Sequence, residues 1–503
     1  MSKKKIADRQ EKNMKIKPII LIMSAAGLLL SGCGEDTEPE LNTVFRKEYT
    51  ETETSAETTV PSETGGSAYG TAEVSGDIIE ETAPSGELSE VSGTETASGT
   101  DSPFGETVTA KNLLSSEGGN VIVDESLPVT EEPSQAVISS SASYYALNYP
   151  TQCGMWFSYL EYERIMKGQS EEVFTGYVRE AFDNMLSIGV NTVYVQLRPF
   201  GDAYYESDIF PKGSCFTGSY DPLEIMVKEA HSRGLSVHGW INPMRLMTSE
   251  QMSELSSSYI IKQWFDSGVN MYEYDGRMYL DPSKEEVRSL ICAGVTEILE
   301  KYDVDGIQID DYFYPTADPD WDRESFAVCG ENITQEEFRR NAVTQMVRDI
   351  YSAVHRANDS AVFGISPSGN AEADYSQLFA DVYLFCGSGD CCDYICPQIY
   401  YGLSHESRPF EETLLEWKAM CCESVSLVAG IGAYKAGTED AYAGTGRNEW
   451  KDNTDIISKE MKIAADNGCG MALFRYDSLF SPAPDVRESV EKELELITVN
   501  SEQ

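Results

Sequence analysis

The chain has 503 residues and a formal net charge of −46, with 84 acidic against 38 basic side chains. This length accommodates two or three average domains, although a single α/β barrel can occupy about 250 residues by itself. So negative a charge argues against nucleic acid as a partner, because binding a polyphosphate needs a basic surface. It also argues against attachment to anionic lipid through charge alone.

The N-terminus has the pattern of a bacterial export signal. Basic residues between Lys3 and Lys17 precede an apolar run over 18–30 that is too short to span a bilayer comfortably. Leu-Ser-Gly-Cys33 then resembles a lipobox, in which the cysteine is lipidated and becomes the new N-terminus. We therefore predict a signal peptide over 1–32 and a lipoprotein held at the cell surface by membrane-inserted acyl chains, such as palmitate, on Cys33. The alternative is an uncleaved anchor with an incidental cysteine.

Residues 33–143 differ in composition from the rest of the chain. Glu, Thr, Ser and Gly dominate this stretch, and large apolar side chains are sparse. Such a segment cannot bury enough apolar surface to offset the entropy lost on ordering. We predict a disordered acidic stalk that holds the folded domain away from the membrane. The short apolar run at 120–123 would fit a lone strand but defines no domain.

From residue 144 to about residue 498, apolar runs of strand length alternate with segments of helical periodicity. The predicted strands are 154–159, 192–197, 236–241, 306–310, 362–365, 394–399, 427–431 and 470–474. The predicted helices are 171–187, 222–232, 284–300, 335–356, 410–420 and 454–466.

This alternation predicts an α/β fold, a (β/α)8 TIM barrel over 144–498. A doubly wound open sheet is the alternative, but no glycine-rich phosphate loop follows the first strand. Gly189, Gly234 and Gly468 each stand between a helix and a strand, where a left-handed C-cap is expected. The long segments 243–283 and 366–393 should lie on the C-terminal face of the barrel, where substrates bind.

Of the 12 cysteines, all except Cys33 lie within the predicted barrel. These eleven are an odd number, so they cannot all pair within one molecule. Four of them cluster in the stretch CGSGDCCDYIC, at Cys386, Cys391, Cys392 and Cys396. Their spacing matches no zinc pattern. We expect buried free thiols or one or two disulfides, no metal and no cofactor.

The densest chemical signal is DGIQIDDYFYP at 305–315, where an apolar strand ends in the adjacent carboxylates Asp310 and Asp311. A helix cap or a turn is the alternative explanation for either residue. Strand alternation places Gln308 and Asp310 on one face, expected to be the barrel interior. Two close carboxylates repel, so one pKa should rise and that group can donate a proton near neutral pH. A glycosidase needs such a donor and a second group that stabilises the oxocarbenium-like centre.

Polar and aromatic residues also follow the other predicted strands. Since the carboxyl ends of barrel strands share one face, we predict that these side chains bind substrate around the aspartates, although ion pairs, caps or core packing would also explain each of them singly. The predicted set is Arg198, Asp202, Trp240, Asn242, Arg245, Gln308, Tyr312, Ser366, Gln398, Tyr400, Tyr434 and Arg475. Trp156 and Tyr204 are further aromatic candidates for sugar platforms.

Several of these stretches carry a resemblance to a known family. They are NTVYVQLRPFGDAYY (191–205), HGWINPMR (238–245), VDGIQIDDYFYP (304–315), ISPSGN (365–370), PQIYYG (397–402) and LFRYD (473–477). The run from Trp156 to Phe480 resembles the glycosyl-hydrolase-like family ten proteins, a barrel family often found in bacterial lipoproteins. The resemblance implies a (β/α)8 glycosidase acting on bacterial cell-wall glycan or exopolysaccharide. Peptidoglycan strands without stem peptides are one such glycan.

A second likeness bears on mechanism. DGIQIDDY is similar to the DGxDxDxE motif of the family eighteen chitinases, but Tyr312 stands where the chitinase acid would be. The adjacent aspartates are similar to the pair of the O-GlcNAc hydrolases. That similarity implies that Asp310 orients an acetamido group as the nucleophile while Asp311 is the acid/base, or the reverse. The alternative is a two-carboxylate mechanism with a second acid from another loop, for which the candidates are Asp202, Glu161, Glu163 and Asp477.

Two other classes of protein share part of this pattern. A catalytically inactive carbohydrate-binding lipoprotein would keep the barrel and the aromatic residues but would not need both aspartates. A metal-dependent hydrolase is disfavoured because the four histidines form no HxH or HxxxH pair. We expect a monomeric glycosidase whose partners are a polysaccharide and, through Cys33, the membrane.

Overall fold

The computed structural model of the protein describes residues 144–501 except residue 331, and side chains up to residue 498. The predicted signal peptide, the lipidated Cys33, the acidic stalk and the run at 120–123 lie outside the described residues. Within the described ranges, no helix combines the length and the apolar character needed to cross a membrane.

Eight parallel strands close a barrel, which confirms the predicted (β/α)8 fold. Around the barrel the order is β1-β2-β3-β7-β8-β9-β10-β11, and β11 pairs back with β1. The strands are β1 (Cys153–Phe157), β2 (Thr192–Arg198), β3 (Ser236–Ile241), β4 (Arg245–Thr248), β5 (Met271–Tyr274), β6 (Arg277–Leu280), β7 (Gly306–Ile309), β8 (Val362–Ile365), β9 (Tyr394–Ile395), β10 (Ser426–Ile431) and β11 (Gly470–Leu473).

The helices fall largely where the periodicity predicts them, and Gly189, Gly234 and Gly468 have positive φ as expected of left-handed residues. They are α1 (Tyr159–Ile165), α2 (Glu171–Ser187), α3 (Pro222–His231), α4 (Ser249–Glu254), α5 (Ile260–Ser267), α6 (Glu285–Lys301), α7 (Arg323–Cys329), α8 (Gln335–Ala357), α9 (Ala371–Ser376), α10 (Val382–Gly387), α11 (Phe410–Met420), α12 (Glu449–Asp452), α13 (Ile456–Asp466), α14 (Tyr476–Phe480) and α15 (Arg487–Ser501).

The sixth barrel strand differs from the prediction of 394–399. Its regular ladder ends at Ile395, and only isolated bridges continue it, from Gln398 to Ser368 and to Gly430. Pro397 has no N–H to donate, so an unbroken ladder cannot run through this position. The chain still reaches the C-terminal face and carries Gln398 there.

The long segment after β3 contains structure that periodicity did not indicate. Strands β4, β5 and β6 form a small antiparallel sheet in the order β4-β6-β5, and helices α4 and α5 lie within the same insertion. The segment after β8 holds the short helices α9 and α10. Both insertions follow the carboxyl ends of barrel strands, so they build on the face expected to bind substrate.

The barrel interior is filled by a small aromatic cluster. Trp156, Tyr194, Trp240 and Tyr394 are buried there together with small aliphatic side chains. Gly364 is required opposite Tyr394, because a Cβ at that position would lie 1.9 Å from the tyrosine ring. Rings of this size occlude the barrel below Asp310, so the interior is packed and substrate can approach only from the C-terminal rim.

All eleven described cysteines are free thiols, and the four of the stretch 386–396 are buried. No disulfide joins them, which agrees with the first of the two predicted states. Among the described residues, no group of three or more His, Cys, Asp or Glu side chains is arranged to hold a metal ion.

Glu460 of α13 is fully buried, and neither of its carboxyl oxygens has a hydrogen-bond partner among the described residues. Burial raises its pKa well above the usual range, and the charges of Glu449 and Glu493 raise it further. The folded chain therefore retains a proton that the unfolded chain releases near the ordinary glutamate pKa. Stability is lost as the pH rises from that value towards the folded pKa.

We expect Glu460→Gln to raise the free energy of unfolding at pH 8 by about 1–3 kcal/mol and to change it little at pH 5. The reason is that glutamine has the same shape without the ionisation. Glu493→Gln is the contrasting control, since Glu493 accepts the backbone N–H groups of Ile456, Ile457 and Ser458. It should destabilise at both pH values. Urea unfolding measures both variants, and an unchanged pH dependence in Glu460→Gln would contradict the assignment.

Candidate active site

Asp310 lies where β7 ends, and its carboxylate is held by donors from the neighbouring strand. Trp240 Nε1 donates to Asp310 Oδ2 at 3.0 Å, and Asn242 Nδ2 lies 2.8 and 3.0 Å from the two carboxylate oxygens. Trp240 belongs to β3, and Asn242 follows that strand. Only 4% of Asp310 is exposed, so these donors replace water around it. Hydrogen bonds of this kind stabilise the ionised form.

The orientation of the Asn242 amide is set by a chain of hydrogen bonds across the barrel rim. Gln196 Nε2 donates to Asn242 Oδ1 at 3.0 Å, which leaves the Asn242 NH2 group to point at Asp310. Gln196 Oε1 accepts in turn from the backbone N–H of Tyr159 at 3.1 Å. Four successive barrel strands are thereby linked to one carboxylate. Such a network fixes both the position and the hydrogen-bonding state of Asp310.

Asp311 is the more accessible member of the pair, since it is only partly buried. Gln398 hydrogen-bonds its side chain and thereby lowers the pKa of Asp311. The Gln398 Nε2 atom also lies 3.2 Å from the carbonyl oxygen of Ser366, which follows β8. Residues after β7, β8 and β9 thus meet around Asp311.

The pair shares an electrostatic environment that favours one proton between the two groups. Burial raises the pKa of both carboxyls, and the charge of Asp311 raises the pKa of Asp310 further. The bond from Trp240 to Asp310 and the charge of Arg245 act in the opposite direction. One carboxylic acid beside one carboxylate is the combination used in acid/base catalysis on glycosides.

Arg245 and Tyr312 flank the aspartates. The Arg245 guanidinium carbon lies 4.1 Å from the ring centre of Tyr312 and 4.8 Å from that of Phe200. Its charge lowers the pKa of Asp310 and of Asp311. Both residues are at the rim, as predicted from the sequence, and both are partly exposed.

Tyr400, Tyr434 and Phe474 form an aromatic group on the other side of the rim. Tyr400 lies with its ring centre 5.8 Å from that of Tyr434 and 5.7 Å from that of Phe474. The charges of Asp310 and Asp311 raise the pKa of the Tyr400 hydroxyl, although burial is the larger cause. Tyr400 and Tyr434 are partly exposed beside the pair, a position from which they can reach a bound ring.

Arg198 does not lie at this site, and its predicted role in substrate binding is wrong on this placement. Its buried guanidinium packs 4.2 Å from the ring centre of Phe210 and against Gly294 of α6, in the layer between barrel and helices. A bulge in the β2–β3 ladder between Gln196 and Arg198 explains the difference. Without the bulge the two residues would share a face, but the extra residue turns Arg198 outward while Gln196 faces in.

Gln308, Trp156, Tyr204 and Arg475 also have structural partners. Gln308 is fully buried, accepts from Trp156 Nε1 at 2.8 Å and contacts the Tyr394 hydroxyl at 3.3 Å, so it supports the site from beneath. Tyr204 is buried in the core, which leaves neither Trp156 nor Tyr204 as a sugar platform. Arg475 forms an ion pair with Glu161 at 2.6 Å.

The alternative second acids differ sharply in their surroundings. Glu161 is buried and bound by Arg475, Ser158 and the backbone of Asp477. Glu163 pairs with Lys167, and Asp477 pairs with Arg164. These three carboxylates are therefore engaged in ion pairs.

Asp202 is the exception. It is buried without an ion pair among the described residues, and burial raises its pKa to about 6. It lines a cleft of about 560 Å³ together with Tyr159, Phe200, Lys212 and Arg277. Asp202 is therefore the alternative acid that combines a raised pKa with the absence of an ion pair among the described residues.

Sequence patterns did not single out Gln196, Arg277 or Asp374. Gln196 belongs to the stretch 191–205 that resembles the family, and its alternation with outward-facing residues on β2 could have indicated that it points into the barrel. Asp374 of α9 is buried, its Oδ1 accepts from the backbone N–H of Ser368, and its Oδ2 has no hydrogen-bond partner in the described part of the chain. Burial raises its pKa, and the charge of Asp311 raises it further. It comes from the insertion after β8, so no local pattern could link it to β7.

Comparison with known proteins places the chain in a family. The model of the family described as glycosyl hydrolase-like 10 matches residues 171–443, which is more than half of the chain. Glycosyl hydrolase YngK of Bacillus subtilis is 30% identical over 323 residues, which cover 58% of this chain and 60% of the relative. Glycosyl hydrolase DigH of Escherichia coli K12 is 29% identical over 339 residues, which cover 60% of this chain and 76% of that protein.

Among solved structures, the glycoside hydrolase domain of PgaB (BpsB) from Bordetella bronchiseptica superposes with a TM-score of 0.47 at 11% identity. The superposition covers 68% of this chain and 99% of that domain. The family match includes both aspartates, Asn242, Arg245 and Gln398, whereas Arg475 lies beyond its end. The chain is a member of the glycosyl hydrolase-like 10 family.

Proposed function

We propose that this protein hydrolyses glycosidic bonds in a bacterial cell-wall or related polysaccharide that contains N-acetylhexosamine. In this proposal it acts as a lipoprotein anchored through Cys33 at the outer side of the membrane. The observation that carries the proposal is the pair Asp310 and Asp311 at the end of β7, where burial raises both pKa values. Membership of the family and the names of its relatives support glycosidase chemistry.

The hydrogen bonds suggest a division of roles within the pair. Burial and the charge of Asp311 raise the pKa of Asp310 to about 8, but Trp240 and Asn242 both donate to Asp310 and favour its carboxylate form, as a bound acetamido N–H would do further. Asp310 would accept the N–H of a substrate acetamido group and direct the acetamido oxygen towards the anomeric carbon. Asp311 would give its proton to the leaving glycosidic oxygen as that bond breaks. A water molecule then adds to the anomeric carbon and returns a proton to Asp311.

A two-carboxylate route is the alternative within the same site. Asp202 would then act with one aspartate of the pair, since its pKa of about 6 suits a proton donor near neutral pH. The two routes differ in their dependence on the substrate. Only the first requires an acetamido group at C2 of the cleaved sugar.

The pH dependence of kcat/KM is expected to be bell-shaped. At low pH both carboxyls are protonated and Asp310 cannot accept a hydrogen bond, whereas at high pH Asp311 has no proton to donate. Because burial raises both pKa values and the charge of Asp311 raises that of Asp310 further, the alkaline limb should lie well above the ordinary aspartate pKa of about 4. Initial rates across the pH range measure it, and an alkaline limb near pH 4 would contradict a shared proton.

Mass spectrometry of digested glycan strands tests the function directly. Purified peptidoglycan strands with stem peptides and strands from which an amidase has removed them are incubated with the protein. Release of shorter oligosaccharides from either preparation supports the proposal, and their reducing ends identify the bond that was cut. Saturable binding without any product would instead favour a catalytically inactive carbohydrate-binding lipoprotein.

A further inference from the structure

Two arginines of the insertion after β3, Arg245 beside the aspartate pair and Arg277 in the neighbouring cleft, have no ion-pair partner in the described part of the chain. Neither Arg245 nor Arg277 forms an ion pair with any described residue, although this chain has 84 acidic side chains. Both are partly buried at the C-terminal rim, and both guanidinium groups lie over the ring of Phe200, at 4.8 and 4.4 Å. The charge of Arg245 acts on Asp310 and Asp311, and that of Arg277 acts on Asp202, but no described carboxylate oxygen lies within ion-pair distance of either guanidinium group.

The surrounding contacts fix these side chains rather than satisfying them. Arg245 is also packed on the ring of Tyr312, and its Nε is buried with no hydrogen-bond partner in the described ranges. Arg277 donates one bond, from Nη1 to the carbonyl oxygen of Leu246. Arg245 belongs to β4 and Arg277 to β6 of the small sheet, and the pairing of these strands brings them side by side. Arg245 also hydrogen-bonds the side chain of Tyr279, but the remaining guanidinium donors of the two residues are available to another group.

We infer that Arg245 and Arg277 form a subsite for a carboxylate carried by a sugar unit of the glycan, next to the unit that is cleaved. This inference rests on the proposed function, because it names the chemical class of the same substrate. Paired guanidinium groups match the planar oxygens of a carboxylate. An uncharged sugar would offer these donors only neutral acceptors, which bind a guanidinium group more weakly than a carboxylate does.

The position of the cleft agrees with an occupant that extends over several sugar units. Arg277, Phe200 and Tyr159 line the 560 Å³ cleft, and Arg245 bridges from Phe200 to Tyr312 beside the pair. Asp202, Glu163 and Glu254 line the same cleft. A singly charged carboxylate suffers less repulsion from these acids than a doubly charged phosphate would.

Binding of matched tetrasaccharides tests the subsite. The first probe alternates N-acetylglucosamine with its 3-O-lactyl ether and has free lactyl carboxylates; in the second, the carboxylates are reduced to alcohols. A third probe carries uronate carboxylates in place of the lactyl groups and distinguishes the two sources of the charge. Calorimetry uses the full chain with Asp311→Asn, so that no probe is consumed, and cleavage is measured in parallel with the unsubstituted chain.

We expect the acid probe to bind at least about tenfold more tightly than its alcohol. Arg277→Met should remove this preference, while Arg277→Lys should retain part of it because the charge remains. Arg277 is the decisive position because Arg245 also acts on the pKa of the pair. Arg340→Met is the matched control, since Arg340 also stacks on a tyrosine ring, that of Tyr375 at 4.4 Å, and forms no ion pair in the described part of the chain. It should leave the preference unchanged.

The outcomes separate this inference from the proposed function. Equal affinity for acid and alcohol, or a preference that survives Arg277→Met in a chain that unfolds normally, overturns the carboxylate subsite even if both probes are cleaved. Absence of binding to every probe overturns it as well. An acid preference that depends on Arg277, without any cleavage by the unsubstituted chain, supports the subsite and refutes the hydrolase.

Discussion

Asp310→Asn and Asp311→Asn are each expected to lower kcat on a natural glycan by about 10²–10⁴-fold. Either change leaves a single carboxyl group in place of the pair, and Asp310→Asn also places an amide against the donors of Trp240 and Asn242. Reducing-end assays measure the rates. Asp303→Asn is the control, since Asp303 is an exposed carboxylate just before the same strand.

An activated substrate separates the two roles. A dinitrophenyl glycoside has a leaving group that needs almost no protonation, so Asp311→Asn should lose little activity on it. Asp310→Asn should lose activity on both substrates, because its role is to orient the attacking group. The opposite pattern would exchange the two assignments, and undiminished cleavage by the double asparagine variant would refute the site altogether.

The largest effect on stability is expected from Arg339→Met. Arg339 and Asp322 form an ion pair at 2.6 Å in which both side chains are almost completely buried. Arg339 also donates to the carbonyl oxygens of Thr316 and Asp318, and so holds the segment after the aspartate pair against α8. Its loss leaves the Asp322 charge buried with fewer donors, of which Gln335 is one. We expect the free energy of unfolding to fall by about 3–5 kcal/mol.

Arg323→Met provides a matched control in the same region. Arg323 pairs with Asp320 at 3.0 Å, but more than two thirds of each side chain is exposed. Water screens such a pair, so its loss should cost less than about 1 kcal/mol. Denaturant unfolding of both variants measures the difference. Similar values for the two would show that the buried pair contributes no more than an exposed one.

Local patterns were sufficient for most of the fold. Apolar runs of four to seven residues mark the strands, and amphipathic periodicity with a glycine cap marks helices such as α2 and α3. These local patterns did not predict the elements that are too short or too irregular to show a periodicity. The strands of the small sheet are four residues each, too short to alternate recognisably, and β9 ends at Ile395, two residues before Pro397.

Sequence alone determined that an apolar strand ends in two adjacent carboxylates, because the strand and the two aspartates are consecutive in the chain. It also determined that Gln308 and Asp310 face the same way, since side chains alternate along a strand. Only the tertiary structure decided which distant groups meet that pair. A bulge in β2 turns Arg198 away, a chain through Gln196 and Asn242 fixes Asp310, and an insertion after β3 brings Arg277 to the rim. Contacts between residues far apart in the chain depend on register and loop path, and neither is encoded in local periodicity.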